Sequence, residues 1–209
     1  MIYGIADLGA LGGRAPAAAA AAMARSGVPW IQLRAKGVDD AELLRQAREC
    51  RRALAGTGAR LWIDDRPDVA ALAGADGVHL GQEDLPPAAA RRTVGRGVWI
   101  GRSTHDREQL LAADADPEVD VVAVGPVFAT TGKERPDPVV GLDFVRWARS
   151  ATAKPLVAIG GIDAANVREV LAAGADAAAV LSALCRGGDV ETDAARLVAA
   201  AAGEEGGRP

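Results

Sequence analysis

The stretch LWIDDRPD, residues 61–68, carries two adjacent acids, Asp64 and Asp65, between an apolar run and a proline. Neighbouring negative charges repel each other, so a chain that needed only a turn here would rarely carry both. In one interpretation a strand ends at a helix cap, with Asp65 accepting from backbone N–H groups and Pro67 in the first helical turn. In the other the acids form a chemical site, and the residues after the neighbouring apolar runs must decide.

A further acid, Asp84, lies in the loop after the next apolar run, residues 77–80. Neighbouring strands of a sheet lie about 4.8 Å apart, so Asp65 and Asp84 could reach one cation from adjacent loops. One or two carboxylates together with substrate phosphate form the ligand set that Mg²⁺ uses. The spacing indicates a magnesium site at these two acids.

The run WIQLRAK, residues 30–36, alternates apolar and polar side chains. Because side chains alternate across a strand, Gln32, Arg34 and Lys36 share one face, and Ile31 and Leu33 share the other. Two cations and an amide on one line suit anion binding, in which arginine forks onto oxygens and lysine acts as a point charge.

A glycine pair and a serine follow the last two apolar runs. Gly160 and Gly161 come directly after residues 156–159, and Ser182 follows residues 178–181. Glycines let backbone N–H groups approach a phosphate, and the N-terminus of a short helix adds its positive end. These positions indicate a phosphate site.

The other candidate site residues are a long loop, a serine and two histidines. Residues 125–136 form a hydroxyl- and glycine-rich loop with Lys133, which is typical of a lid. Ser103 precedes a predicted helix and either caps it or faces the site. His79 alternates with apolar neighbours, and we interpret it as a structural residue that points into the fold. His105 is the histidine best placed to act as an acid or base, but nothing around it forms a triad.

These positions fall at the ends of eight short apolar runs, which predict strands at residues 2–5, 30–34, 61–64, 77–80, 98–101, 121–124, 156–159 and 178–181. Amphipathic or alanine-rich stretches between the runs predict helices, and the alternation indicates right-handed βαβ units and a parallel sheet. Eight units predict an α/β fold, a single-domain (β/α)8 TIM barrel over residues 1–202, with a frayed tail at 203–209. An open doubly wound sheet is the alternative, but the glycine-rich fingerprint it needs is missing after the first run. In a barrel the active site forms at the carboxyl ends of the strands, here called the mouth.

Composition limits the classes of partner. The net charge is −4, which gives no general attraction for nucleic acid or anionic lipid, so neither is expected as a partner. Two cysteines, Cys50 and Cys185, are too few for a disulfide framework, and we expect a cytoplasmic protein. Residues 15–24 could pass for a signal-peptide core, but they contain Pro16 and follow no basic start, so we expect an alanine-rich helix.

Taken together, seven motifs resemble one family, thiamine phosphate synthase with its thiazole tautomerase relatives. They are QLRAK at 32–36, DDRPD at 64–68, ADGVHLGQED at 75–84, GRSTH at 101–105, VGPVFAT at 124–130, VAIGGI at 157–162 and VLSA at 180–183. The motifs follow the family's order and spacing over nearly the whole chain. The resemblance implies a Mg²⁺-dependent transferase that joins hydroxymethylpyrimidine diphosphate to a thiazole phosphate carboxylate and releases diphosphate and CO₂. It also suggests a homodimer.

The resemblance implies roles for particular residues. The diphosphate contacts of the family fall on Gln32, Leu33, Arg34, Ala35, Lys36, Asp64, Ser103 and Lys133, and we assign catalytic roles among them to Arg34, Lys36, Ser103 and Lys133. The Mg²⁺ ligands fall on Asp65 and Asp84. The thiazole contacts fall on Thr130, Thr131 and Gly132, and the thiazole phosphate contacts fall on Gly161, Leu181 and Ser182.

Two positions depart from the family pattern. The family usually has asparagine at Asp64 and a second threonine at Gly132, so the departures concern the diphosphate contact and the thiazole carboxylate contact. An ionised Asp64 beside a diphosphate faces like charge. We therefore expect Asp64 to be protonated, or to be bonded to Arg66 or a nearby lysine.

Two other functions stay open at this point. A thiazole tautomerase keeps the phosphate site but needs no diphosphate machinery, and retention of the charged residues Arg34, Lys36, Asp65, Asp84 and Lys133 argues against it. A barrel without activity could bind thiazole phosphate as a regulator. Nothing helix-turn-helix-like supports contact with DNA.

Overall fold

The computed structural model describes residues 1–130 and 138–203. Eight parallel strands form a closed barrel in chain order, in which β1 pairs with both β2 and β8. The strands are β1 Ile2–Asp7, β2 Trp30–Arg34, β3 Arg60–Asp64, β4 Gly77–Leu80, β5 Trp99–Thr104, β6 Val121–Val124, β7 Leu156–Ile159 and β8 Ala177–Val180. The predicted (β/α)8 barrel is confirmed, and the open-sheet alternative is wrong.

Nine helices are present in the described part of the chain. They are α1 Pro16–Arg25, α2 Asp40–Ala53, α3 Pro67–Ala73, α4 Pro87–Val94, α5 Arg107–Ala115, α6 Gly141–Ala151, α7 Val167–Ala172, α8 Ser182–Cys185 and α9 Val190–Ala202. The alanine-rich stretch is the helix α1, as expected. Of the predicted tail, only Gly203 lies within the described residues, and it ends α9 in a left-handed conformation. None of these helices is long and apolar enough to cross a membrane.

Several strand boundaries differ from the sequence predictions, and the ends of β1 and β5 differ most. β1 and β5 extend further because their polar ends still pair with neighbours: Asp7 lies beside Arg34 of β2, and Thr104 lies beside Val124 of β6. α7 begins at Val167 because Asp163 and Asn166 form a turn before it. In that turn the Asp163 N–H donates to the Asn166 side chain, and the Ala165 N–H donates to Asp163.

Aromatic side chains fill one half of the barrel interior below the mouth. Tyr3, Trp30, Trp62 and Trp99 pack together, with ring centroids 5.1 to 6.4 Å apart in the contacting pairs. Small valine and alanine side chains of β6, β7 and β8 line the opposite wall. A Cβ on Gly77 would lie 2.4 Å from the Trp62 ring, so the glycine makes room for the tryptophan. The interior is therefore a packed floor rather than a pore.

The opposite face of the barrel is held by a contact that occurs three times. Each time, an aspartate directly before an even-numbered strand accepts a hydrogen bond from a backbone N–H of the odd-numbered strand beside it. The same aspartate accepts a second hydrogen bond from an arginine in the helix that precedes that odd-numbered strand. The sets are Asp76 with Leu61 and Arg51, Asp120 with Ile100 and Arg91, and Asp176 with Leu156 and Arg149. These contacts lie away from the mouth and stabilise the scaffold, which leaves the strand ends available for chemistry.

Candidate functional site

The mouth brings together polar side chains from the first five strands. They are Asp7, Gln32, Arg34, Asp64, His79 and Ser103, all at inward positions of their strands. Gln32 is buried and donates to the Tyr3 hydroxyl at 3.2 Å, which joins the mouth to its aromatic floor. Leu33 packs in the outer core among the helices. The predicted alternation along β2 is therefore confirmed, and Leu33 offers the mouth only its backbone.

Arg34 is held between two acids. Its guanidinium pairs with the Asp7 carboxylate on one side, and its Nε lies 3.5 Å from Asp64 Oδ2 on the other. Asp7 is 6% exposed, and its second oxygen accepts the Ala10 N–H at 2.9 Å. Two opposite charges restrict the rotamer of Arg34, so the side chain is preorganised for an anion.

Sequence reasoning missed Asp7 because it ended the first strand at residue 5. Every second residue of β1 points into the barrel, and these residues are Tyr3, Ile5 and then Asp7. Carrying the alternation to the last residue of the strand would have placed an acid at the mouth.

Lys36 bridges the adjacent acids Asp64 and Asp65. Its ammonium pairs with Asp65, and it lies 3.6 Å from Asp64 Oδ2. Asp65 has a φ of 61°, the left-handed region that few residues other than glycine adopt. The strained backbone turns this carboxylate toward the mouth, and such strain concentrates at functional sites.

Asp65 is therefore not a helix cap. The residue before α3 is Arg66, which makes no side-chain capping bond, and Pro67 occupies the first turn as expected. The Asp65 N–H donates to the His79 backbone oxygen at 2.8 Å. This contact ties the end of β3 to β4.

The expected pairing of Asp64 with a nearby lysine is confirmed, and its pairing with Arg66 is wrong. The Arg66 guanidinium turns outward to Asp68 and Asp40, each at 2.6 Å. Burial raises the pKa of Asp64 above its usual value, while Lys36 and Arg34 oppose the shift and Asp84 adds to it. Asp64 thus favours the neutral state more than an exposed aspartate does.

We expect Asp64→Asn to raise the Tm of the metal-free protein at pH 8. The folded pKa of Asp64 lies above its unfolded value, so the stability it contributes is present at low pH and is lost as pH rises through the folded pKa. Asparagine cannot ionise and avoids that loss. Thermal unfolding in excess chelator should show the gain at pH 8 and a smaller difference at pH 4.

A neighbouring aspartate supplies the control for this measurement. The hydrogen bond from Arg66 lowers the pKa of Asp68, so its carboxylate stabilises the fold at high pH. Asp68→Asn should therefore change Tm at pH 8 in the opposite direction. Equal and same-signed shifts in the two variants would contradict the assignment.

Asp84 lies in a loop that β5 holds in place. The Gly81 N–H donates to Asp84 Oδ2 at 2.6 Å, and Arg102 donates to the Gly81 oxygen at 2.6 Å. Gln82 donates to the Ser103 backbone oxygen. Asp84 is close enough to Asp64 to raise its pKa, so the acids of β3 and of this loop face one corner of the mouth.

The residues at the end of β5 divide between site and scaffold. Ser103 is half-buried at the mouth, and its Oγ lies 2.9 Å from His79 Nε2. Thr104 is fully buried and donates to the Ala123 oxygen, so it is structural. The cap of α5 is Asp106, not Ser103. His105 Nδ1 lies 2.7 Å from the Gly125 oxygen, at the start of the loop after β6.

The glycine pair after β7 packs on the loop after β6. Gly161 has a φ of 65°, and a Cβ there would lie 2.6 Å from the Ala129 oxygen and 2.7 Å from the Phe128 side chain. β7 pairs with β8, which places Gly161 near Leu181 and Ser182. α8 begins at Ser182, so the predicted short helix is confirmed at this position. Thr130 lies at the end of the described part of the neighbouring loop.

Residues 2–184 match the family model for thiamine monophosphate synthase. The chain belongs to this family. The thiamine-phosphate synthase of Koribacter versatilis is 51% identical over 158 residues, 76% of this chain and 74% of the relative. The thiamine-phosphate synthase of Albidiferax ferrireducens is 45% identical over 196 residues, 94% of this chain and 89% of the relative.

One solved structure agrees with this membership of the thiamine monophosphate synthase family, and another shares the fold. A thiamine phosphate pyrophosphorylase from Pyrococcus furiosus superposes with a TM-score of 0.87 at 31% identity, over 98% of this chain and 96% of that one. An orotidine 5'-phosphate decarboxylase from Pyrococcus horikoshii has a TM-score of 0.68 at 16% identity, over 97% of this chain and 99% of that one, and shares the fold alone.

The family resemblance implies substrate contacts for Thr131, Gly132 and Lys133. These three residues lie outside the part of the chain that the structure describes. Within the described ranges, no group of three histidine, cysteine or acidic side chains is placed to hold a metal ion. The half-buried carboxylates of Asp65 and Asp84 suit Mg²⁺, which keeps waters and takes further oxygens from phosphate. The Lys36 ammonium between Asp64 and Asp65 shows that this corner attracts a cation.

Proposed function

We propose that this protein is a thiamine-phosphate synthase that joins hydroxymethylpyrimidine diphosphate to thiazole phosphate carboxylate, with release of diphosphate and CO₂. The observation that carries the proposal is a network of ion pairs in one corner of the mouth. In this network Arg34 and Lys36 pair with the acids Asp7, Asp64 and Asp65. A site with both cations for a polyanion and acids for a metal suits the departure of a diphosphate. A tautomerase needs neither set.

The side chains around Arg34 favour cleavage of the carbon–oxygen bond to the diphosphate. Arg34 makes a bidentate contact with diphosphate oxygens, Lys36 adds a positive charge, and the Ser103 hydroxyl donates a hydrogen bond. Asp7 and Asp64 hold Arg34 in place before the substrate binds, so its guanidinium stabilises the leaving charge with little reorganisation. We propose Asp65 and Asp84 as the Mg²⁺ ligands, and the bound ion would neutralise charge on the departing diphosphate.

The second substrate is held from the other side of the mouth. We propose that Gly161, Leu181 and Ser182 bind the thiazole phosphate through backbone N–H groups and the serine hydroxyl. Thr130 and the undescribed residues Thr131, Gly132 and Lys133 complete the contacts to the thiazole ring and diphosphate. An anchored phosphate directs the ring nitrogen at the pyrimidine carbon that loses the diphosphate. No nucleophilic side chain and no triad is needed.

We expect Ser182→Ala to raise the KM for thiazole phosphate carboxylate by about tenfold, because a hydrogen bond to a charged group is lost. The KM for the pyrimidine diphosphate should stay within about twofold. Ser182→Ala tests the phosphate contact more directly than Gly161→Val does. A side chain at Gly161 would clash with the backbone of Ala129, so that variant would also disturb the loop after β6. Steady-state kinetics with each substrate varied would test this prediction. Equal effects on both KM values would show that Ser182 does not bind the thiazole phosphate.

One assay tests the function itself. The purified protein is mixed with both substrates and Mg²⁺, and thiamine phosphate and diphosphate are measured. Equimolar formation of both products is expected. Interconversion of thiazole tautomers without diphosphate release would favour the tautomerase, and binding of thiazole phosphate without any turnover would favour a regulator.

We place the protein in the cytoplasm as a homodimer, with its two small-molecule substrates as ligands and neither nucleic acid nor a membrane as a partner. Cys50 and Cys185 are both unpaired and buried, which suits a reducing compartment. Sedimentation measurements on the purified chain would test the dimer.

A further inference from the structure

His79 contacts both Ser103, a proposed diphosphate contact, and Asp65, a proposed metal ligand. Its Nε2 lies 2.9 Å from Ser103 Oγ, and its backbone oxygen accepts the Asp65 N–H at 2.8 Å. In the sheet it pairs with Asp64 on one side and with Gly101 on the other. One residue thus contacts a proposed metal ligand through its backbone and a proposed diphosphate contact through its ring.

The space for the histidine ring is made by Gly101. A Cβ at Gly101 would lie 2.6 Å from His79 Nδ1, so any larger residue there would displace the ring. The ring is half-buried and lies over β5, directly beside the Ser103 side chain. Its orientation toward Ser103 is therefore a consequence of a glycine on the neighbouring strand.

The chemistry of a serine hydroxyl makes this contact directional. A hydroxyl has one proton to donate and two lone pairs that accept. If His79 accepts that proton, Ser103 can only accept from other groups, and a diphosphate oxygen gains nothing from it. If His79 donates from Nε2, the serine proton is turned away from the ring and toward the mouth.

We propose that His79 is a positioning residue for diphosphate departure, acting through an Nε2–H donated to Ser103 Oγ. The hydrogen bond presents the serine proton to the diphosphate oxygens and holds it there before the substrate binds. The inference rests on the proposed synthase function. It gives a functional role to a histidine whose sequence context suggested only a structural one.

Four variants separate positioning from packing. His79→Gln keeps an amide N–H near the place of Nε2, whereas His79→Asn replaces the ring by the same amide on a shorter side chain. His79→Leu removes the donor, and Ser103→Ala removes its target. His79→Leu and His79→Asn should each lower kcat/KM for the pyrimidine diphosphate by about tenfold, with His79→Gln recovering most of the loss. The KM for the thiazole substrate should change less than about twofold.

The double variant decides whether His79 acts through Ser103. In a Ser103→Ala background, His79→Leu should cause no further loss, because its target is already gone. Binding of inorganic pyrophosphate in Mg²⁺, measured by calorimetry, should weaken in the same variants and does not require turnover. An equal loss from His79→Leu with and without Ser103 would overturn the proposal, as would equal losses in the Gln and Asn variants.

The tautomer can be observed directly. The chain contains two histidines, so nitrogen-15 NMR spectra of the wild type and His79→Gln assign both rings. We expect the proton of neutral His79 on Nε2. A proton on Nδ1 alone would overturn the proposal, whereas absence of thiamine phosphate formation by the wild type would instead refute the synthase function.

Discussion

Asp65→Asn should reduce turnover by more than about a hundredfold while leaving the fold intact. Loss of groups that only support a metal ligand already costs 10–100-fold, and this change removes a proposed ligand itself. Asparagine tolerates the left-handed backbone at φ 61°, so the substitution removes charge without adding strain. kcat at saturating substrate and the Tm of the variant are the measurements.

The neighbouring acids provide the controls for this result. Asp68→Asn changes a half-exposed acid that pairs with Arg66 outside the mouth, and it should keep wild-type turnover. Asp64→Asn should keep or lower the KM for the pyrimidine diphosphate, because it removes a like charge beside the substrate. If Asp64→Asn abolishes turnover and weakens Mg²⁺ binding as strongly as Asp65→Asn does, both acids are ligands, and the proposed division of roles is wrong.

Turnover should require Mg²⁺, and Asp84→Asn should remove most of it. Asp84 is the second proposed protein ligand on an ion that otherwise keeps water and phosphate oxygens. Its Oδ2 accepts the Gly81 N–H, and an asparagine oxygen can keep that bond, so the loop should hold its shape. We expect at least a tenfold loss of kcat and a higher Mg²⁺ concentration at half-maximal rate.

The adjacent exposed acid gives a matched comparison for Asp84. Glu83→Gln removes one charge from the same loop, and it should leave the Mg²⁺ dependence unchanged. Rates measured across a Mg²⁺ titration, and again in excess chelator, provide the test. Full activity in chelator, or equal effects of the two substitutions, would rule out Asp84 as a ligand.

The sequence alone determined the barrel and most of the mouth. The eight strands follow from apolar runs of strand length, and the inward line of Gln32 and Arg34 follows from alternation, which depends only on backbone geometry. The family motifs also placed the proposed diphosphate, metal and phosphate positions at strand ends, where the barrel brings them to one face. These features repeat locally along the chain, so they can be predicted without knowing which strands touch.

The tertiary structure alone decided which side chains meet. Asp7 pairs with Arg34, Lys36 bridges Asp64 and Asp65, and His79 reaches Ser103, and each contact joins residues of different strands or loops. Such contacts depend on sheet register, on rotamers and on space left by a neighbour, as Gly101 leaves space for His79. Arg66, two residues after Asp64 in the sequence, points to the surface because the exposed acids Asp40 and Asp68 both bind its guanidinium. Local patterns therefore determine which residues face the mouth, and only the closed barrel sets which of them act on one another.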